Sequence, residues 1–60
     1  MDMMKAMDIA EGSKEPKDEK EFIKAWQFLI DTKLAWQLQG YYGRIARDLI
    51  ERGICHGRIN

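Results

Sequence analysis

Cys55 and His56 stand side by side near the end of this 60-residue sequence and are its single thiol and its single imidazole. A nucleophilic cysteine needs a base at hydrogen-bond reach in a held geometry. Neighbours that follow a helix end rarely provide either, so Cys55 reads as a small apolar side chain near a cap. One Cys and one His also fall short of a tetrahedral zinc site unless carboxylates or a second chain complete it. Asp18, Glu19 and Glu21 are the closest set of carboxylates beside large side chains. They sit where a helix should begin, and no pocket-forming length surrounds them to raise a carboxyl pKa for acid–base work. Gly40-x-x-Gly43 lacks both the strand and the lysine of a phosphate-binding loop. The expectation is a chain that is not an enzyme, with no cofactor and no metal.

The basic residues offer binding chemistry instead. Residues 1–32 hold eight acidic and five basic side chains, whereas residues 33–60 hold two acidic and five basic. Every basic residue before position 33 is Lys, and four of the five from there on are Arg. The planar Arg fork makes paired hydrogen bonds to phosphates and carboxylates. Lys33, Arg44 and Arg47 are therefore the candidate nucleic-acid contacts, on a helix-turn-helix-like reading. Against it, Arg44–Asp48, Arg47–Glu51 and Asp48–Arg52 all have the i,i+4 spacing at which opposite charges pair along a helix. Asp48 and Glu51 would also face phosphates with the wrong sign. A solvated, self-paired face is the favoured reading.

These groups must be positioned by helices. At 100° per residue Phe22, Ile23, Ala25, Trp26, Leu29 and Ile30 share an arc of about 160°, a buried stripe. Asp18 with Glu21 three residues on has the character of a capping box and sets the start of that helix. Asp31, Thr32 and Lys33 should end it, since Asp and Thr are weak helix formers. Leu34 to Gln39 supplies one or two helical turns, and Gly40 marks a break. A last helix runs from Tyr41 or Tyr42 to Arg52, with Tyr42, Ile45, Ala46, Leu49 and Ile50 on one side. Gly53 suits a left-handed cap that Ile54 closes by a hydrophobic contact. Phe28 and Trp36 fall off these stripes and, with Tyr41 beside the break, are the candidate protein-interface residues.

The organisation expected is all-α: a helical hairpin or three-helix domain, two amphipathic helices joined by a short elbow, plus an optional N-terminal helix. Residues 1–16 read as an arm or weak helix with a linker, Met3, Met7 and Ala10 lying along one side of it. Residues 17–54 form the helical domain and residues 55–60 a frayed tail. Chains this small usually need a disulfide, a metal or association. One cysteine excludes an internal disulfide, so association, as a homo-oligomer or on another protein, is the expected remedy. No run of eighteen apolar residues spans a membrane, and Asp2, Lys5, Asp8 and Glu11 interrupt anything like a signal peptide. The cytoplasm is the expected compartment.

The run from Trp26 to Cys55 resembles small uncharacterised proteins encoded by tailed bacteriophages and their metagenomic relatives. Trp26-Gln27, Leu34-Ala35-Trp36-Gln37-Leu38-Gln39-Gly40 and Gly43-Arg44 carry the likeness. In that family a Gly often stands where this chain has Lys33, and Trp-Phe where it has Tyr41-Tyr42. Lys33 therefore argues against a glycine-type helix stop after Thr32. The resemblance implies an accessory phage protein in the host bacterial cytoplasm, binding a host or phage protein. It assigns no residue a role. A nucleic-acid-binding protein and a minor virion component are the alternatives.

Overall fold

A computed structural model describes residues 1–38 and 40–57 of the chain. Among them run four helices and no strand: α1 (Met3–Glu11), α2 (Glu19–Asp31), the single turn α3 (Leu34–Gln37) and α4 (Gly40–Glu51). The all-α expectation holds, and the optional N-terminal helix is present. α1 packs on α2, α2 on α3 and α3 on α4.

The first departure is one of degree: the weak N-terminal helix that the sequence allowed is docked into the core. Asp2 caps α1 by accepting the Lys5 backbone N–H at 2.7 Å, which satisfies one of the donors a helix start leaves orphaned. Gly12 closes the other end at φ 86°, with the Ser13 N–H bonded to the Asp8 carbonyl at 2.9 Å. Only a residue tolerant of left-handed backbone ends a helix this way. A nine-residue helix is marginal alone, and packing supplies what propensity does not: Ala6, Ile9 and Ala10 are buried. The arm is thus part of the core.

α2 is the element all others meet. Asp18 Oδ1 accepts the Glu21 N–H at 2.9 Å, while Glu21 Oε1 accepts the N–H of Lys17 at 2.9 Å, one residue upstream of the usual capping-box donor. Glu21 Oε2 also meets Lys5 Nζ of α1 at 3.5 Å. Those contacts hold the Glu21 carboxyl below the usual range, the Lys17 N–H first among the causes and the Lys5 charge next. Ala25, Trp26, Leu29 and Ile30 are buried, as the stripe requires. Phe28 is half-buried and packs against that core rather than standing on a polar face. Glu21 lies seven residues before Phe28, hence on the same side of the helix. α1 meets α2 on that side at the Lys5–Glu21 ion pair.

α2 stops at Thr32, whose hydroxyl donates to the Phe28 carbonyl at 2.8 Å. Lys33 then takes φ 66°. The glycine-type stop is present after all, although the residue there carries a side chain that disfavours it by about 1–2 kcal/mol. α3 is shorter than the turn read over Leu34 to Gln39, and position 39 lies outside the described residues. Trp36 is half-buried against the core and Ala35 is sealed. In α4 the five residues of the stripe, Tyr42, Ile45, Ala46, Leu49 and Ile50, are buried or half-buried, and Gly43 is half-buried beside them.

The C-terminal segment is the second departure. Gly53 caps α4 at φ 77°, and the Ile54 N–H reaches the Leu49 carbonyl at 2.9 Å. Ile54 itself stays 40% exposed, so it does not close the cap by burial. Cys55 does, at 1% exposure. A Cβ on Gly57 would come within 2.5 Å of Ile30 Cγ2, so the chain lies directly on α2 there. Residues 55–57 are docked chain; the rest of the expected tail, residues 58–60, lies outside the described residues.

Candidate functional site

The aromatic residues gather where three helices meet. Trp26 of α2 is fully buried and stacks at a tilt on Tyr42 of α4, ring centres 6.1 Å apart. Tyr41 meets Tyr42 edge to face at 5.2 Å, an arrangement the aromatic quadrupole favours. The hydroxyl of Tyr41 donates to the Ala10 carbonyl of α1 at 3.0 Å, and that of Tyr42 to Glu11 Oε1 at 2.7 Å. Both tyrosines therefore hold the C-terminal end of α1 down. Burial, aided by the hydrogen bond to the Glu11 carboxylate, pushes the Tyr42 phenol up to about 12. The indole N–H of Trp26 has no acceptor. A buried orphan donor costs about 1–3 kcal/mol, which the apolar contact of the ring must offset.

Of the three interface candidates, Phe28 and Trp36 line the edge of the core, and Tyr41 remains 51% exposed. On α1, Met3 is 48% and Met4 72% exposed. Met3, Met7 and Ala10 follow one side of α1 at helical spacing, and Ala10 is where the Tyr41 hydroxyl lands. Met4 stands about 100° around the helix from Met3, so these large apolar side chains are separate exposures on α1 and at the start of α4. Sequence reasoning placed Met3 and Met7 along one side but gave them no interface role, because an undocked arm has no fixed face.

The nucleic-acid candidates do not converge on a cationic surface free of carboxylates. Arg47 Nε pairs with Glu51 at 3.4 Å, and Arg52 Nε takes Asp48 at 3.0 Å, so Asp48 turns to Arg52 rather than to Arg44. Arg44 and Lys33 are exposed, Lys33 on the left-handed residue between α2 and α3. Two of the three i,i+4 pairs read from the sequence are made.

Cys55 and His56 do not form a dyad. The Cys55 thiol points at the Ile23 carbonyl at 3.9 Å, and burial, with Asp31 nearby, pushes its pKa up. A raised pKa depletes the thiolate that any thiol chemistry needs. His56 is exposed but its backbone is held: its N–H donates to Gln27 Oε1 at 2.8 Å, and its carbonyl accepts from Gln27 Nε2 at 2.7 Å. Gln27 Nε2 also donates to Asp31 Oδ1 at 2.8 Å. One side-chain amide of α2 thereby pairs with both backbone groups of His56 as a neighbouring strand would. No set of three His, Cys, Asp or Glu among the described residues could hold a metal. No helix among them is long and apolar enough to cross a membrane.

Residues 1–58 match a family model described as a domain of unknown function, DUF7417. The chain belongs to that family. The match spans α1, α2, α3 and α4 together with the docked segment after α4, so the whole four-helix arrangement is the family's unit. No curated protein and no solved structure matches the chain.

Proposed function

We propose that this member of the DUF7417 family is a small non-enzymatic helical interaction module that associates with a second copy of itself and with a protein partner. The observation that carries the reading is the exposure of the large apolar side chains Met3, Met4 and Tyr41. Methionine is flexible and polarisable and adapts to irregular surfaces, and Tyr is enriched at interaction hot spots. Phe28 and Trp36 are half-buried against the core, so the reading leans on the more exposed side chains of α1 and the start of α4. Combined with the likeness of Trp26 to Cys55 to small tailed-phage proteins, the module is an accessory phage protein acting in the host bacterial cytoplasm on a host or phage protein.

Light scattering after size exclusion tests the reading on the chain and on Met4→Lys. The expected result is a dimer at micromolar concentration that Met4→Lys converts to a folded monomer. A parent chain that is already a cooperative monomer at that concentration overturns the self-association.

A further inference from the structure

A cleft of about 370 Å³ opens between the start of α1 and the first half of α2, lined by Met1, Lys5, Lys17, Asp18, Lys20, Glu21 and Lys24. Four ammonium groups and two carboxylates face it, in a chain whose formal net charge is zero. The carboxylates are already engaged. Asp18 Oδ1 accepts the Glu21 N–H, and Glu21 divides its two oxygens between the Lys17 N–H and Lys5 Nζ. Lys17, Lys20 and Lys24 enter no ion pair among the described residues. Lys20 and Lys24 are also four residues apart on α2, a like-charge spacing that weakens a helix. Lys20 and Lys24 keep to one side of α2, and Lys17, just ahead of the helix, lines the same cleft. The fold carries the cost of bringing these cations together and leaves them without counter-charges.

We propose that this cleft binds a small ligand bearing two or more phosphate groups, held by Lys17, Lys20 and Lys24. Its charge comes from side chains of α2 and the segment before it, joined by Lys5 from α1, and not from the helix end, whose donors Asp18 occupies. Three flexible ammonium groups suit a point-charge recognition of phosphates without fixed geometry. The volume admits a polyphosphate of nucleotide size. Met3, Met4 and Tyr41 do not line this cleft, and neither do Arg44 and Arg47.

The test is a titration of the full chain with sodium triphosphate at low ionic strength, followed by calorimetry and by amide shifts. Saturable binding is expected with a Kd below about 1 mM, and with shifts confined to residues 5 and 17–24. Lys20→Gln and Lys24→Gln should each weaken it about three- to five-fold, in the range of a single exposed ion pair. Lys33→Gln, which removes the same charge elsewhere, should change it less than about two-fold by screening over distance. Equal weakening by all three variants, or no saturation, overturns the site. A short single-stranded oligonucleotide serves as the second probe. If it binds at these amides while triphosphate does not, the free polyphosphate is the wrong occupant.

Discussion

Replacing Gln27 by Ala should release the C-terminal segment from α2 while leaving the helices folded. The two hydrogen bonds to the His56 backbone, 2.7 and 2.8 Å long, are the polar attachments of that segment to α2 on the Gln27 side. Both lie at the solvent-facing edge, so each contributes toward the lower part of the usual range, about 0.5–1 kcal/mol. Their joint loss is therefore about 1–2 kcal/mol, which multiplies the population of the undocked segment about 5- to 30-fold. Cys55 reports that population directly, because at 1% exposure its thiol reacts only when the segment lifts. Alkylation by a neutral maleimide under conditions where closing outruns reaction should accelerate by the same factor. Far-UV circular dichroism should be unchanged. Gln27→Glu should accelerate it at least as much, since a carboxylate there faces both the His56 carbonyl and Asp31 Oδ1. An unchanged alkylation rate in Gln27→Ala would refute the idea that this amide holds the segment. Ile23 and Ile30 would then be sufficient by packing alone.

Two further outcomes follow from the same geometry. Tyr42 is pushed up to about 12 in the folded chain, against about 10 when unfolded. Its contribution to stability is thus complete below pH 10 and is lost as pH rises from 10 through 12. Urea unfolding across that window should show the loss in the parent chain. Tyr42→Phe, which gives up the 2.7 Å bond to Glu11, should be less stable by about 1–2 kcal/mol at neutral pH and lack that alkaline step. Lys33→Gly relieves the side-chain penalty at φ 66°; after the extra chain entropy of glycine it should stabilise by about 0.5–1 kcal/mol. Thermal unfolding reads it as a higher Tm, and a lower Tm would mean that Lys33 makes a compensating contact.

Periodicity carried the helices because each of α2 and α4 lays its apolar residues on one stripe, and the stripe is a property of the local sequence. Tyr42, Ile45, Ala46, Leu49 and Ile50 needed no knowledge of what they face. Phe28 did. Its half-burial depends on what the rest of the core brings against α2, which the local sequence does not state. α2 ends where Asp31, Thr32 and Lys33 should end it, but the left-handed residue there is not legible in the sequence. Lys33 lacks the usual signature of left-handed backbone, and the Thr32 hydroxyl with the Lys33 N–H bond to Ile30 imposes that conformation. The clasp between Gln27 and His56 joins positions 29 apart through a side chain. A polar residue on the polar side of a helix leaves no signal that a peptide will dock there.

The exposed methionines change what association has to explain. On composition alone a second chain was needed to cover rings that two helix stripes left over. In the fold both ends of the chain return to α2: Ala6, Ile9 and Ala10 come from one terminus and Cys55 from the other, all nearly sealed. Chain ends recruited this way enlarge a core that 38 or so central residues are too few to close, which is the difficulty small domains face. The same recruitment gives α1 a fixed orientation, and a fixed helix has an outside. Met3 and Met4 are on it, because the positions that α1 must turn inward are taken by the small side chains Ala6 and Ala10 and by Ile9. Self-association would then be a consequence of docking α1, and loosening α1 by Tyr42→Phe should weaken the dimer as well as the fold.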